Sequence, residues 1–204
     1  MTGDKSRIDF LGEWVAVPAQ DVELEDGKIV RADACEIMKR SVSVRMFREF
    51  AVQTNYVTKA EQEVDDYERL TYWQNGYNAD EDGVVGVDAS ACCVSRNDAE
   101  AFCRWARVSL PSEAQWLASF LVTDRLIAID CFAAELAAGT VKRRLEGDGI
   151  ELTGTLGLDG ISVIARSGPT VAKDPGWHDQ QADHVFLLKD RDSFEEAIGF
   201  RCIR

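Results

Sequence analysis

Two helix-start signatures set close together near the middle of the chain limit its fold more than any other feature. Ser95 precedes Asp98 by three residues and Ser112 precedes Gln115 by three, the spacing at which a cap hydroxyl and a carboxylate or amide satisfy each other's first-turn N–H groups. Behind the first signature, Ala99, Phe102, Cys103 and Ala106 fall on one stripe of a helix. Behind the second, after Leu110-Pro111, Trp116, Leu117 and Phe120 supply another apolar face.

The remaining chain is strand-like on both sides of these helices. From Phe10 to Ile37, short apolar pieces are broken by Gly12, Pro18 and the Asp26-Gly27 turn, while Asp21, Glu23 and Glu25 alternate with Val22 and Leu24. That pattern predicts strands and a hairpin. Ser43 caps a further helix with Val44, Phe47, Phe50 and Ala51 at helical spacing, ending near Asn55. Lys59 to Asp82 reads as a long polar and aromatic surface loop. Leu121 to Arg144 reads as mostly helical, and from Ile150 onward the runs Ile161–Ile164, Val185–Leu188 and Phe200–Ile203 read as strands. No internal repeat or low-complexity linker interrupts the chain.

Composition bounds the function. The 204 residues, 46% hydrophobic and 29% charged, suit one domain spanning 1–204. Asp and Glu outnumber Lys and Arg by 36 to 23, and the net charge of −13 repels phosphate backbones and anionic lipid, so neither nucleic acid nor membrane is an expected partner. Neither a run long enough to span a bilayer nor a secretory h-region is visible, so a cytoplasmic location is expected. Cys35, Cys92, Cys93, Cys103, Cys131 and Cys202 show no C-x-x-C spacing and are expected to be mostly buried, reduced thiols.

The segment Val94-Ser95-Arg96-Asn97-Asp98-Ala99-Glu100-Ala101-Phe102-Cys103-Arg104-Trp105, followed by Leu110-Pro111-Ser112-Glu113-Ala114-Gln115-Trp116, resembles the V-S-W-x-D-A-x-x-[YF]-C-x-W and R-L-P-T-E-A-E-W signatures of the formylglycine-generating enzymes, the sulfatase-modifying factors. Gly199-Phe200-Arg201-Cys202-Ile203-Arg204 is similar to that family's closing strand, and Met38 to Asn55 resembles its first helix with the pattern V-T-x-x-x-[FY]-x-x-F. The resemblance implies an α+β, C-type-lectin-like fold of the formylglycine-generating type. It also implies that Cys103 and Cys202 are structural neighbours.

The family's catalytic stretch is where this sequence departs. Family members carry G-N-x-W-E-W-T, then R-G-G-S with one catalytic cysteine three residues beyond the serine and a second five further on. Gly147-Asp148-Gly149-Ile150-Glu151-Leu152-Thr153 and Arg166-Ser167-Gly168-Pro169 align with these without a gap, which sets Ala172 and Trp177 at the two cysteine positions. The family's chemistry resembles copper–thiolate chemistry, with two soft sulfur ligands holding Cu(I). Copper and formylglycine-generating activity are therefore not expected here.

Other constellations are weighed on their own chemistry. Cys92-Cys93 lacks the further ligands that would make an adjacent pair a good chelate, and reads as buried thiols. His178-Asp179 and Asp183-His184 have no recognised zinc spacing and read as a solvated loop. Glu151 matches the family's calcium-binding acid and is the candidate metal ligand, with the Gly147 and Asp148 carbonyls beside it. Lectin sugar-binding motifs and a G-x-S-x-G nucleophile are absent. Tyr67, Tyr72, Trp73 and Tyr77, with Arg166, Trp177 and His178, form the candidate recognition surface, since Tyr and Trp supply rigid contact area. The expectation is a non-catalytic protein-binding or regulatory module with a protein partner. The alternatives are an oxidase or maturation factor with a rearranged site, and a diversified ligand-binding protein of the same fold.

Overall fold

The computed structural model describes residues 9–24, 26–63, 88, 90–122, 150–156, 159–167, 185–193 and 198–204, with the backbone alone at 120–122, 150, 151, 166, 167, 185 and 186. The architecture is α+β. Strand β1 (Trp14–Val17) pairs antiparallel with β4 (Cys35–Met38), and β2 (Gln20–Glu23) with β3 (Ile29–Ala32) in the hairpin between them. Gly27 turns that hairpin at a φ of 77°, a conformation in which a Cβ is penalised. Its N–H donates to the Leu24 carbonyl, and Asp26 Oδ1 accepts from Lys28 N. Period-two alternation then buries Val22 and Ala32 and leaves Asp21 and Arg31 outside as an ion pair of 3.1 Å.

Helix α1 (Val44–Thr54) starts where the Ser43 hydroxyl accepts from Met46 N, and ends at Asn55 in the left-handed region. A short helix α2 (Lys59–Glu63) follows, which corrects the reading of a loop from Lys59 onward. The reason is local: Glu61 N donates to Thr58 Oγ1 while Thr58 N donates to Glu61 Oε2, a capping box of its own. The rest of that expected loop, and the helical reading of 123–144, lie outside the described residues.

Both founding signatures open helices. In α3 (Arg96–Ala106) the Ser95 hydroxyl accepts from Asp98 N while Asp98 Oδ2 accepts from Ser95 N. Ahead of α4 (Glu113–Val122), Ser112 and Gln115 exchange the same pair of bonds at 3.2 and 3.0 Å.

The C-terminal part is a sheet of β5 (Ile150–Leu156), β6 (Val163–Ser167), β7 (Val185–Leu188) and β8 (Ile198–Phe200) in the order β7-β6-β5-β8, antiparallel except for the parallel β5–β8 pair. Two strand readings shift. Ile161 and Ser162 precede β6 in a turn because Asp159 Oδ1 accepts from both backbone N–H groups. The closing run leaves the sheet after Phe200, and residues 201–204 bond instead to β4 and to Ser109. Met38 N donates to the Cys202 carbonyl, Ser109 and Ile203 exchange N–H···O bonds, and Glu36 and Arg204 do the same.

These elements enclose two apolar clusters. In the first, Phe47 of α1 stacks on Phe102 of α3 at 5.9 Å, and Phe200 of β8 meets both edge-on at 6.3 and 5.5 Å. The second joins Val17, Val22, Ala32 and Ile37 to Trp116 and Leu117 of α4. Cys202 belongs to the first cluster and its neighbour Ile203 to the second.

Candidate functional site

The start of α3 gathers a network of polar side chains. Asp98 is buried, and besides Ser95 N it accepts from Tyr56 Oη at 2.9 Å and Lys59 N at 3.2 Å. Burial pushes the Asp98 carboxyl above its ordinary range, although the bonds from Ser95, Tyr56 and Lys59 pull the other way. Tyr56 is raised too, first by burial and then by the adjacent Asp98 charge. Two positions before Asp98, at the first residue of α3, Arg96 sits where the family signature carries tryptophan. Its guanidinium is buried, donating to the Gly154 carbonyl at 2.7 Å, the Thr155 carbonyl at 3.3 Å and Glu100 Oε1 at 2.9 Å.

Glu100 also accepts from Arg191, whose Nε donates to Asn97 Oδ1, while Asn97 Nδ2 donates to Asp192. One helix end thereby holds β5 and the turn at 189–193. Sequence reasoning did not single out Arg96, Glu100 or Arg191. The available signal was the arginine replacing tryptophan, since a buried arginine demands acceptors.

The cysteines of the two best-matching motifs do come together. Cys103 Sγ and Cys202 Sγ lie 3.6 Å apart, both buried, in the cluster with Phe47, Phe102 and Phe200. Both are free thiols, as is Cys35. Burial, reinforced by the neighbouring Cys103, holds the Cys202 thiol well above its ordinary range. Cys92 and Cys93 are buried immediately before α3, and Cys93 takes a left-handed φ of 57°. Cys35 on β4 is partly exposed.

Two further candidates are brought into register. Glu151 of β5 lies directly opposite Arg166 of β6, and on its other side Glu151 pairs with Gly199 of β8. Glu151 is therefore in an interior strand of the sheet. Tyr67, Tyr72, Trp73, Tyr77, Ala172, Trp177 and His178, with Cys131 and the 147–149 stretch, lie outside the described residues. Among the described residues no group of three or more His, Cys, Asp or Glu side chains is placed to hold a metal ion.

The capping boxes, the aromatic stripe between them and the adjoining strands find a counterpart among known families. The profile of the sulfatase-modifying factor enzyme 1-like domain matches residues 13–120, more than half of the chain. The chain belongs to this family. No curated protein matches it. The region matched by the sulfatase-modifying-factor profile runs from β1 to within α4 and contains both founding signatures. It stops before Gly147 and Arg166, where the catalytic stretch is expected to begin. No helix among the described residues is long and apolar enough to cross a membrane.

Proposed function

We propose that this sulfatase-modifying-factor relative is a protein-binding or regulatory module without the family's catalysis, a single C-type-lectin-like domain over 1–204. The observation that carries the reading is the pair Ala172 and Trp177, which stand in register for two cysteines and offer neither a thiolate nucleophile nor a soft metal ligand. The family's copper does not fit this donor set. A methyl group and an indole cannot replace the two sulfurs, so no step of this protein's action is routed through copper.

The described cysteines support the same reading. A catalytic thiol needs access and thiolate character, whereas Cys92, Cys93, Cys103 and Cys202 are buried and Cys202 holds its proton strongly. Burial also pushes the partly exposed Cys35 thiol upward. The binding surface we assign is the pair of segments 67–82 and 166–183, which concentrate Tyr67, Tyr72, Trp73, Tyr77, Arg166, Trp177 and His178. The partner is a protein, because a net charge of −13 opposes nucleic acid and anionic membrane. Calcium at Glu151 is the one metal kept within the proposal.

Two measurements test this. Purified without chelator and offered a cysteine-containing peptide, the protein should show no stoichiometric copper and no aldehyde product; turnover would overturn the reading. With a partner isolated from the native cells, Trp73→Ala and Trp177→Ala should each weaken binding by about thirtyfold, the equivalent of ~2 kcal/mol, with little change in Tm. Unchanged affinity in both variants would reject the surface.

A further inference from the structure

We propose that the outer edge of β2 is a docking edge for an extended segment of a partner protein, one that alternates basic and apolar residues. Among the described residues β2 and β3 form a sheet of two strands, so each has an outer edge that the hairpin itself does not pair. The turn fixes which residues lie on it. Leu24 N donates to the Lys28 carbonyl and Gly27 N to the Leu24 carbonyl, which makes Leu24 and Lys28 a hydrogen-bonded pair. Bonded and non-bonded pairs alternate along an antiparallel ladder. Val22 with Val30 and Gln20 with Ala32 are therefore the next bonded pairs inside the hairpin. Asp21 and Glu23, between them, aim their N–H and C=O groups outward from β2, where no described backbone group bonds to them.

This edge is preformed and open. Val22, Val30 and Ala32 pack the inner face of the hairpin toward Trp116 and Leu117 of α4, and Gln20 Nε2 donates to the Ala118 carbonyl at 2.9 Å. A strand held in this way loses little further freedom when another strand pairs with it. The outer face stays in solvent: the Asp21 side chain is 62% exposed even in its ion pair with Arg31, and Ile29 opposite Glu23 is 69% exposed.

Register and charge define the occupant. Main-chain bonds along a sheet edge supply affinity for an extended peptide, and alternate side chains supply the choice of sequence. Residues directly opposite one another share a face, so the partner residues opposite Asp21 and Glu23 stand beside two carboxylates. The partner residue opposite Val22 points to the α4 side, next to the second apolar cluster. Over 20–32 the acids Asp21, Glu23, Glu25 and Asp26 outnumber the bases Lys28 and Arg31. Basic, apolar, basic is the pattern that complements this strand. The β2 strand of a second copy does not, because it would set Asp21 and Glu23 against their own kind in chains that each carry a charge of −13. The edge shares no residue with segments 67–82 and 166–183 and is a second surface for a protein partner.

The test uses the full chain and a synthetic peptide, Lys-Val-Lys-Val-Lys-Val-Lys, with amide hydrogen exchange read by NMR. In excess peptide the Asp21 and Glu23 amides should exchange at least about tenfold more slowly, while those of Ile29 and Arg31 keep their rates. A peptide N-methylated on its lysines, whose N–H groups face β2, should lose this effect, and one N-methylated on its valines should keep it. A peptide with glutamate in place of lysine should give no protection. The double variant Asp21→Lys with Glu23→Lys should weaken binding by at least about tenfold, while slow exchange at Val22 and Val30 shows that its hairpin is intact.

No protection at Asp21 and Glu23, protection at Ile29 and Arg31 instead, or equal protection by the lysine-methylated peptide would overturn the docking edge. Self-association of the peptide-free protein that the double variant abolishes would assign the edge to a second copy and overturn the basic partner. None of these results bears on the non-catalytic reading, which rests on Ala172 and Trp177, or on segments 67–82 and 166–183, which Trp73→Ala and Trp177→Ala test.

Discussion

At the scale of single residues, Asp98 shows how a helix cap becomes a tertiary anchor. Its carboxylate accepts from Ser95 N, Tyr56 Oη and Lys59 N, so it serves its own helix and the chain between α1 and α2 together. Asp98→Ala would strand those buried donors and should lower stability by at least about 2 kcal/mol in urea titration. The pH dependence has a defined sign. Because burial raises the folded-state pKa of Asp98, the folded protein keeps a proton that the unfolded chain has lost. That contribution is full below the unfolded value and is lost as pH rises through the folded one. Melting curves taken upward from about pH 4, the ordinary aspartate range, should therefore fall more in the wild type than in Asp98→Asn. Identical profiles would contradict the assignment. Arg96 is the second such residue, with acceptors on β5 and on Glu100. Arg96→Ala should cost about 3 kcal/mol, because it leaves Glu100 beside Arg191 alone and two carbonyls without their donor.

At the scale of elements, the decisive contacts are made where helices begin and where strands approach connections closely. Thr58 and Glu61 nucleate α2 by the same reciprocal bonding that opens α3. Their pattern was present in the sequence beside two recognised examples, but the polar residues that follow concealed it. Gly154 illustrates close approach: its N–H donates to the Pro111 carbonyl at 2.7 Å, and a Cβ there would stand 3.4 Å from the carbonyl oxygens of both Leu110 and Pro111. Gly154→Val adds methyl groups against fixed backbone, so it should destabilise by about 1–3 kcal/mol. A melting temperature equal to wild type would show that the α3–α4 connection yields more readily than this packing implies.

At the scale of the whole molecule, the last residues bring the two apolar clusters together, with Phe200 and Cys202 in one and Ile203 in the other. Coupling of this kind should make unfolding one cooperative event. Tryptophan fluorescence and far-UV circular dichroism should give coincident transitions in wild type, and Ile203→Ala should shift both together by about 2–4 kcal/mol. Two separated transitions would show that the clusters melt independently and would count against a single domain over 1–204.

Sequence by itself determined what depends on neighbours a few positions away: the capping boxes at Ser95 and Ser112, the Asp26-Gly27 hairpin, the end of α1 at Asn55, and the motifs that carry membership of the family. These are local hydrogen bonds and backbone preferences, so residue type and spacing suffice. Only the tertiary structure decided which distant groups meet. The register of Glu151 with Arg166 and the reach of Arg96 to Gly154 and Thr155 depend on strand pairing and helix packing between segments far apart along the chain, whereas the nearness of Cys103 to Cys202 was implied by the family resemblance and only its 3.6 Å distance came from the structure. No local pattern encodes those distances. They follow from how the α1–α3–β8 aromatic cluster and the α4–hairpin cluster close around one C-terminal segment, because burial of apolar surface selects the arrangement as a whole.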